Sequence, residues 1–215
     1  MDDCMKFKFK IRHLIGINYL CNKELIVKRV DLLKAKLKQG ETYRREDLVN
    51  FSTSIDRHLA ELIGDGFLQR LSQGLFYYPK QSVFGQAPPD ENKLVRTFLK
   101  DDDFLLTSPN VYNSLGVGTT QLYNNRVVYN HKRHGKVRLG NQEFDFRLKH
   151  KFPTTATPEF VLVDLVNNLG RLAEDKTSIL ENVARKVNVM DKKALKKAVD
   201  KYGNVSTKKI FAPLL

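Results

Sequence analysis

The chain has only two cysteines, Cys4 and Cys21, among 215 residues. Two thiols make neither the disulfide framework of a small secreted domain nor the CxxC spacing of a zinc site, so a reduced, cytoplasmic setting is expected. Long apolar runs are missing too. No stretch approaches the roughly 18 residues a membrane span needs, and the opening MDDCMKFKFKIRH contains no apolar core of signal-peptide length. Catalytic signatures are equally scarce. Gly116-Val117-Gly118-Thr119-Thr120 lacks both the lysine of a phosphate-binding loop and the glycine spacing of a dinucleotide fold. No serine sits in a nucleophile-elbow pattern, and neither cysteine has the surroundings of an activated thiol. The adjacent carboxylates Asp101-Asp102-Asp103 point in different directions and read as a helix end or loop rather than a metal cluster. The expectation is a protein with no catalytic residue, no metal and no cofactor.

Acidic side chains are also in short supply, with 24 against 37 Lys and Arg, a net charge of +13 and a pI near 9.7. Hydrophobic residues make up 41% of the chain, enough for a buried core. Such a balance favours polyanionic partners such as nucleic acid, although a basic protein without one is the plain alternative. The excess is spread along the chain: residues 1–80 carry 15 basic and 10 acidic side chains, and residues 151–215 carry 12 and 7.

The pattern predicts an α+β chain: an N-terminal winged helix-turn-helix domain, then a mixed α/β domain with a small antiparallel sheet and C-terminal helices. Residues 1–21 form an extension. Within it Lys6-Phe7-Lys8-Phe9-Lys10-Ile11-Arg12 alternates with period two, as an edge strand or a basic arm would. Over residues 22–80, Asn22 opens a first helix with Ile26, Val30, Leu33 and Leu37 on one face, and Gly40 ends it. Thr42 is expected to cap a second, short helix. A turn at Phe51 to Thr53 leads into a third, capped by Ser52 or Ser54, with Ile55, Leu59, Leu62 and Ile63 inward. Phe67–Leu71 and Leu75–Tyr78 then flank Ser72-Gln73-Gly74 as a hairpin, closed by Pro79.

Residues 81–90 read as a linker stiffened by Pro88-Pro89, and residues 91–215 as the second domain. There a helix carries Leu94, Val95, Phe98 and Leu99. A strand at Phe104–Leu106 precedes a helix from Thr107 to Leu115. An antiparallel meander follows over 121–148, then a Thr- and Pro-rich connector and a helical tail in which Asp191 caps the helix bearing Leu195, Ala198 and Val199.

A DNA-recognition helix needs an apolar side fixed to its domain and a polar side aimed at base edges. Thr53, Ser54, Arg57 and His58 have that placement in the third helix. Arg57 is the leading base-reader, since arginine can bond guanine O6 and N7 together; pairing with Glu61 one turn later is the competing role. Arg44, Arg45, Arg70, Ser72, Gln73 and Lys80 suit phosphate contacts, which set register without reading sequence. In the second domain His131, Lys132, Arg133, His134, Lys136 and Arg138 form the densest basic patch, either a binding surface or a solvated turn. His131 and His134 lack a third metal ligand nearby.

Leu62-Ile63-Gly64-Asp65-Gly66-Phe67-Leu68-Gln69-Arg70 runs into Gly74-Leu75-Phe76-Tyr77-Tyr78-Pro79. Together with Thr107–Gln121 (TSPNVYNSLGVGTTQ) and Arg138-Leu139-Gly140, this resembles the AbiEi-type antitoxins of bacterial abortive-infection, type IV toxin–antitoxin systems. The resemblance covers roughly residues 22–150. It implies a winged helix that binds double-stranded DNA, inverted repeats in its own promoter, and represses transcription. It also implies a second domain that counters a nucleotidyltransferase toxin. The alternative is an interaction module that keeps the winged-helix scaffold but docks an acidic partner through the basic loop at residues 131–138.

Overall fold

The computed structural model describes residues 30–215. The alternating segment Lys6–Arg12, Asn22 and Ile26 therefore lie outside the described residues. The chain divides into two compact units between Phe98 and Leu99.

In the first unit, helical residues 30–36 (α1) bury Val30 and Leu33. The next segment differs from the expected cap. Thr42 does not start a helix but opens a strand, Thr42–Arg44 (β1), that pairs antiparallel with Leu75–Tyr77 (β3). A three-residue strand leaves too short a trace for period-two analysis, and its pairing partner lies more than thirty residues away. Arg44 then serves as the N-cap of the four-residue helix Arg45–Leu48 (α2), which runs into a 3-10 turn at Val49–Phe51.

The helix Ile55–Gly64 (α3) follows, with Ile55, His58, Leu59 and Leu62 buried. It ends in a Schellman motif, with Phe67 N–H bonded to Leu62 O at 2.9 Å, Gly66 N–H bonded to Ile63 O at 3.0 Å, and Gly66 at φ +70°. Strand Gln69–Ser72 (β2) pairs with β3 through a bulge between Arg70 and Ser72, giving a sheet in the order β1-β3-β2. Val30, Leu33, Leu37, Leu48, Leu59, Leu62, Leu68 and Phe76 form one apolar cluster beneath these elements.

The stretch read as a linker is structured. Lys80–Ser82 (β4) and Gly85–Ala87 (β5) pair as a separate hairpin. Pro79 therefore precedes a strand instead of closing the unit. The Tyr77 hydroxyl donates to Ala87 O at 2.9 Å, so the end of this hairpin is held to the first sheet. Helix Glu91–Leu99 (α4) also joins the first unit through Thr97 Oγ1 on Thr42 Oγ1 (2.8 Å) and an ion pair of Lys93 with Glu41. The boundary consequently falls at Leu99 and not at Glu91. Composition marked the prolines, and these long-range polar contacts left no trace in it.

The second unit is built on a four-stranded sheet in the order β6-β7-β9-β8: Phe104–Thr107, Arg126–Asn130, Gln142–Leu148 and Gly135–Leu139. It is mixed and not the antiparallel meander expected from the turns. β8 and β9 form a hairpin, but β9 lies parallel to β7, with Tyr129 opposite Arg147. The Pro109–Leu115 segment is a 3-10 helix capped by Ser108, and Thr107 still belongs to β6.

The helices Pro158–Asn168 (α5), Lys176–Val187 (α6), Lys192–Tyr202 (α7) and Val205–Phe211 (α8) complete it. Asp191 caps α7 as expected, accepting from Lys193 N and Ala194 N. α5 is buried around its circumference from Phe160 to Val166, as befits a helix at the centre of a core. Val127 and Tyr129 pack with α5, α6 and α7 in the largest apolar cluster, and Val128, Phe144 and Phe146 are buried on the opposite face of the sheet.

Candidate functional site

The third helix sorts its polar side chains differently from the sequence reading. Thr53 and Arg57 are exposed and Ser54 is half-buried. Arg57 has no hydrogen bond or ion pair among the described residues, so it is not held by Glu61. His58 is the correction. It is 1% exposed, its Nδ1 lies 2.7 Å from Ser52 Oγ, and its Nε2 is buried without a partner. Its position, three residues after Ile55 and four before Leu62, puts it on the inward stripe of a 3.6-residue helix. His58 therefore positions the turn before α3 and is not available to read bases. Ser52 Oγ also accepts from Ser54 N at 3.1 Å, while Ser54 is the N-cap without a side-chain bond of its own.

Two of the six expected phosphate ligands are committed elsewhere. Arg45 makes a two-pronged pair with Asp56, Nε to Oδ1 and Nη2 to Oδ2, both 2.6 Å, which ties α2 to the start of α3. That bond lowers the Asp56 carboxyl below its ordinary range. Arg44 pairs with Glu46 and donates to Phe98 O at 3.3 Å, leaving its side chain only 17% exposed. Arg70, Gln73 and Lys80 are exposed and Ser72 is half-buried, so those four retain free surface along the β2–β3 hairpin and just beyond.

Both units are basic. Residues 1–98 carry 17 Lys and Arg against 12 Asp and Glu, and residues 99–215 carry 20 against 12.

The basic loop of the second unit is also largely neutralised. Lys132 Nζ reaches Asp101 Oδ2 at 2.8 Å, His131 Nε2 lies 3.2 Å from Asp103 Oδ2, and Lys136 pairs with Glu143 at 3.2 Å. The acidic run 101–103 thus lies against the basic loop. This juxtaposition forms across the β6–β7 pair and cannot be read from the linear sequence. Asn130 is 1% exposed and pins the loop, its Oδ1 accepting from Lys132 N and Arg133 N. His131 stacks on Phe152 at 4.7 Å, and Arg138 donates to Gly140 O at 3.3 Å. His134 is exposed and belongs to a different environment, described below. Further cations lie on the tail: Lys193, Lys196, Lys197, Lys208 and Lys209 are all exposed on α7 and α8. Among the described residues no group of three His, Cys, Asp or Glu side chains could hold a metal ion.

Sequence reasoning missed the most organised polar cluster. Asp164, 2% exposed, sits in the middle of α5. Its carboxylate accepts from the Tyr112 hydroxyl (2.8 Å), the Tyr129 hydroxyl (2.9 Å) and Lys149 Nζ (2.8 Å). The Lys149 ammonium also stands 3.9 Å from the centre of the Tyr129 ring, a cation–π contact. Asn168, one turn on, donates from Nδ2 to Asp164 O at 2.8 Å, which turns its Oδ1 toward Arg147 Nη1 at 3.0 Å. Arg147 is held from its other side by Asp145 at 2.7 Å. Burial, and then the Asp164 charge, push both tyrosine hydroxyls to resist ionisation well past their ordinary range. The one available signal was Asp164 itself, the sole charge in the apolar run Phe160–Val166.

No family model and no curated protein matches the chain. Its fold is similar to the crystal structure of the RV2827C protein from Mycobacterium tuberculosis. The TM-score is 0.53 at 15% identity, over 87% of this chain and 74% of that one. At that identity the likeness defines a shared α+β fold. None of the described helices is long and apolar enough to cross a membrane.

Proposed function

We propose that the chain is a sequence-specific DNA-binding repressor of the AbiEi antitoxin type, with α3 as its recognition helix. The carrying observation is α3 itself: apolar residues fix one side to the core, while the opposite side presents Arg57 without a hydrogen-bond or ion-pair partner among the described residues. The succession of α1, β1, α2, α3 and the β2–β3 hairpin is the order a winged helix-turn-helix requires. Thr53, Ser54 and Arg57 are the base-reading set, with Arg70, Ser72, Gln73 and Lys80 on phosphates. The first unit, residues 1–98, carries 17 Lys and Arg against 12 Asp and Glu, an excess that would supply a salt-dependent part of the binding. The functional partner in this reading is a nucleotidyltransferase toxin, and the protein acts as its antitoxin in the cytoplasm.

The test is binding to the DNA upstream of the gene against a scrambled duplex, for the native protein and Arg57→Ala. Selective binding that the substitution flattens supports the proposal. An unchanged sequence preference removes Arg57 from the reader's role.

A second reading has its own support. At the tip of the β4–β5 hairpin Val83 is 93% exposed and Phe84 98%, an apolar knuckle. This favours the alternative of a protein-interaction module that docks a partner protein instead of a DNA site. Co-purification with a neighbouring gene product, together with no preference between the two duplexes, would place this reading first.

A further inference from the structure

A pocket of about 290 Å³ opens beside the Asp164 cluster in the second unit. Its wall carries four basic side chains, His134, Arg147, Lys149 and Arg171, and no carboxylate. The two acids that balance this charge, Asp145 and Asp164, line no part of it and bond Arg147 and Lys149 from outside the cavity. Basic side chains line the cavity and carboxylates stand outside it, an arrangement that draws an anion in and offers a metal ion no carboxylate.

The donors are also pre-set. Arg147 spends Nε and one N–H of Nη2 on Asp145 and one N–H of Nη1 on Asn168, leaving two of its five N–H groups unused. Asn168 cannot turn away, because its amide nitrogen is bonded to Asp164 O. Lys149 is fixed between Asp164 and the Tyr129 ring. Arg171 and His134 are exposed at the pocket and have no hydrogen-bond or ion-pair partner among the described residues.

We propose that this pocket binds a phosphate monoester. A guanidinium fork with spare N–H groups, an ammonium and a second arginine converging on one small cavity match the several oxygens and double charge of a phosphate. A simple carboxylate, with two oxygens and one charge, would leave part of the donor set unanswered. The volume is just below the range of about 300–1,000 Å³ usual for small-molecule sites, which leaves room for the phosphate and a small organic group. The proposal is independent of DNA binding by α3, since every residue involved lies in the second unit.

The experiment is titration of the full chain with inorganic phosphate, acetate, a nucleoside 5′-monophosphate and a short 5′-phosphorylated oligonucleotide. Amide NMR shifts of Lys149 and Tyr202–Asn204 give the readout. The expected result is saturable binding of phosphate and of at least one phosphate ester, with acetate far weaker. Arg171→Glu should weaken it about tenfold or more, and the surface control Arg185→Ala should leave it unchanged. Tighter binding of the mononucleotide identifies a free metabolite as the source, and tighter binding of the oligonucleotide a strand end. No saturable phosphate binding, acetate binding of equal strength, or an unaffected Arg171→Glu variant would overturn it.

Discussion

At the scale of single residues, two buried polar groups govern the two units. His58 with Ser52 fixes the turn that launches α3, and Asp164 gathers Tyr112, Tyr129 and Lys149 in the second core. Removing Asp164 strands two hydroxyls and an ammonium. Asp164→Ala is therefore expected to cost about 3 kcal/mol in chemical denaturation, the scale for breaking a largely buried pair from one side. Asp164→Asn, which keeps an acceptor oxygen, should cost less; equal loss in both would mean packing dominates.

The tyrosines predict a pH effect at the alkaline end. Their folded-state ionisation is raised above the ordinary value near 10, by burial and then by the Asp164 charge. The stability they contribute is therefore fully present below about pH 10 and is lost as pH rises through the higher folded-state value. Ultraviolet titration of the eight tyrosines should show two that ionise only as the protein unfolds. All eight titrating together before unfolding would contradict the cluster.

At the scale of elements, what the sequence disclosed depended on how local the cause was. Asp191 at the start of α7 acts within one helical turn and was legible as an end signal. The strand β1 and the parallel pairing of β7 with β9 depend on partners far along the chain, so turn chemistry alone suggested a meander. His58 was misassigned for a different reason: as a polar residue it was placed on the outer side, although its spacing from Ile55 and Leu62 puts it inside. Asp164 lies 52 residues from Tyr112 and 35 from Tyr129, so the cluster had no motif to announce it.

The junction between α7 and α8 has a further constraint. A Cβ on Gly203 would stand 2.6 Å from Val199 O, a backbone atom that cannot swing aside. Gly203→Ala should accordingly lower stability by about 1–3 kcal/mol through forced displacement of that junction. An unchanged melting temperature would show that the two helices part freely.

At the scale of the whole molecule, the basic excess is shared between the units, five in residues 1–98 and eight in residues 99–215. In the proposed repressor Arg57 would confer selectivity and the spread basic excess the salt dependence, a division between reading and holding common in DNA-binding proteins. Neither half of that division was visible in the net charge of +13, which belongs to the chain as a sum.

The most direct measurement is the affinity of the native protein and Arg57→Ala for the upstream duplex and a scrambled one, each at two salt concentrations. The repressor account predicts a preference for the upstream duplex that persists near physiological salt and disappears in Arg57→Ala, with the salt dependence of the remaining binding nearly intact. Equal, salt-labile binding of both duplexes by the native protein would contradict it and leave the exposed Val83–Phe84 knuckle as the guide to function.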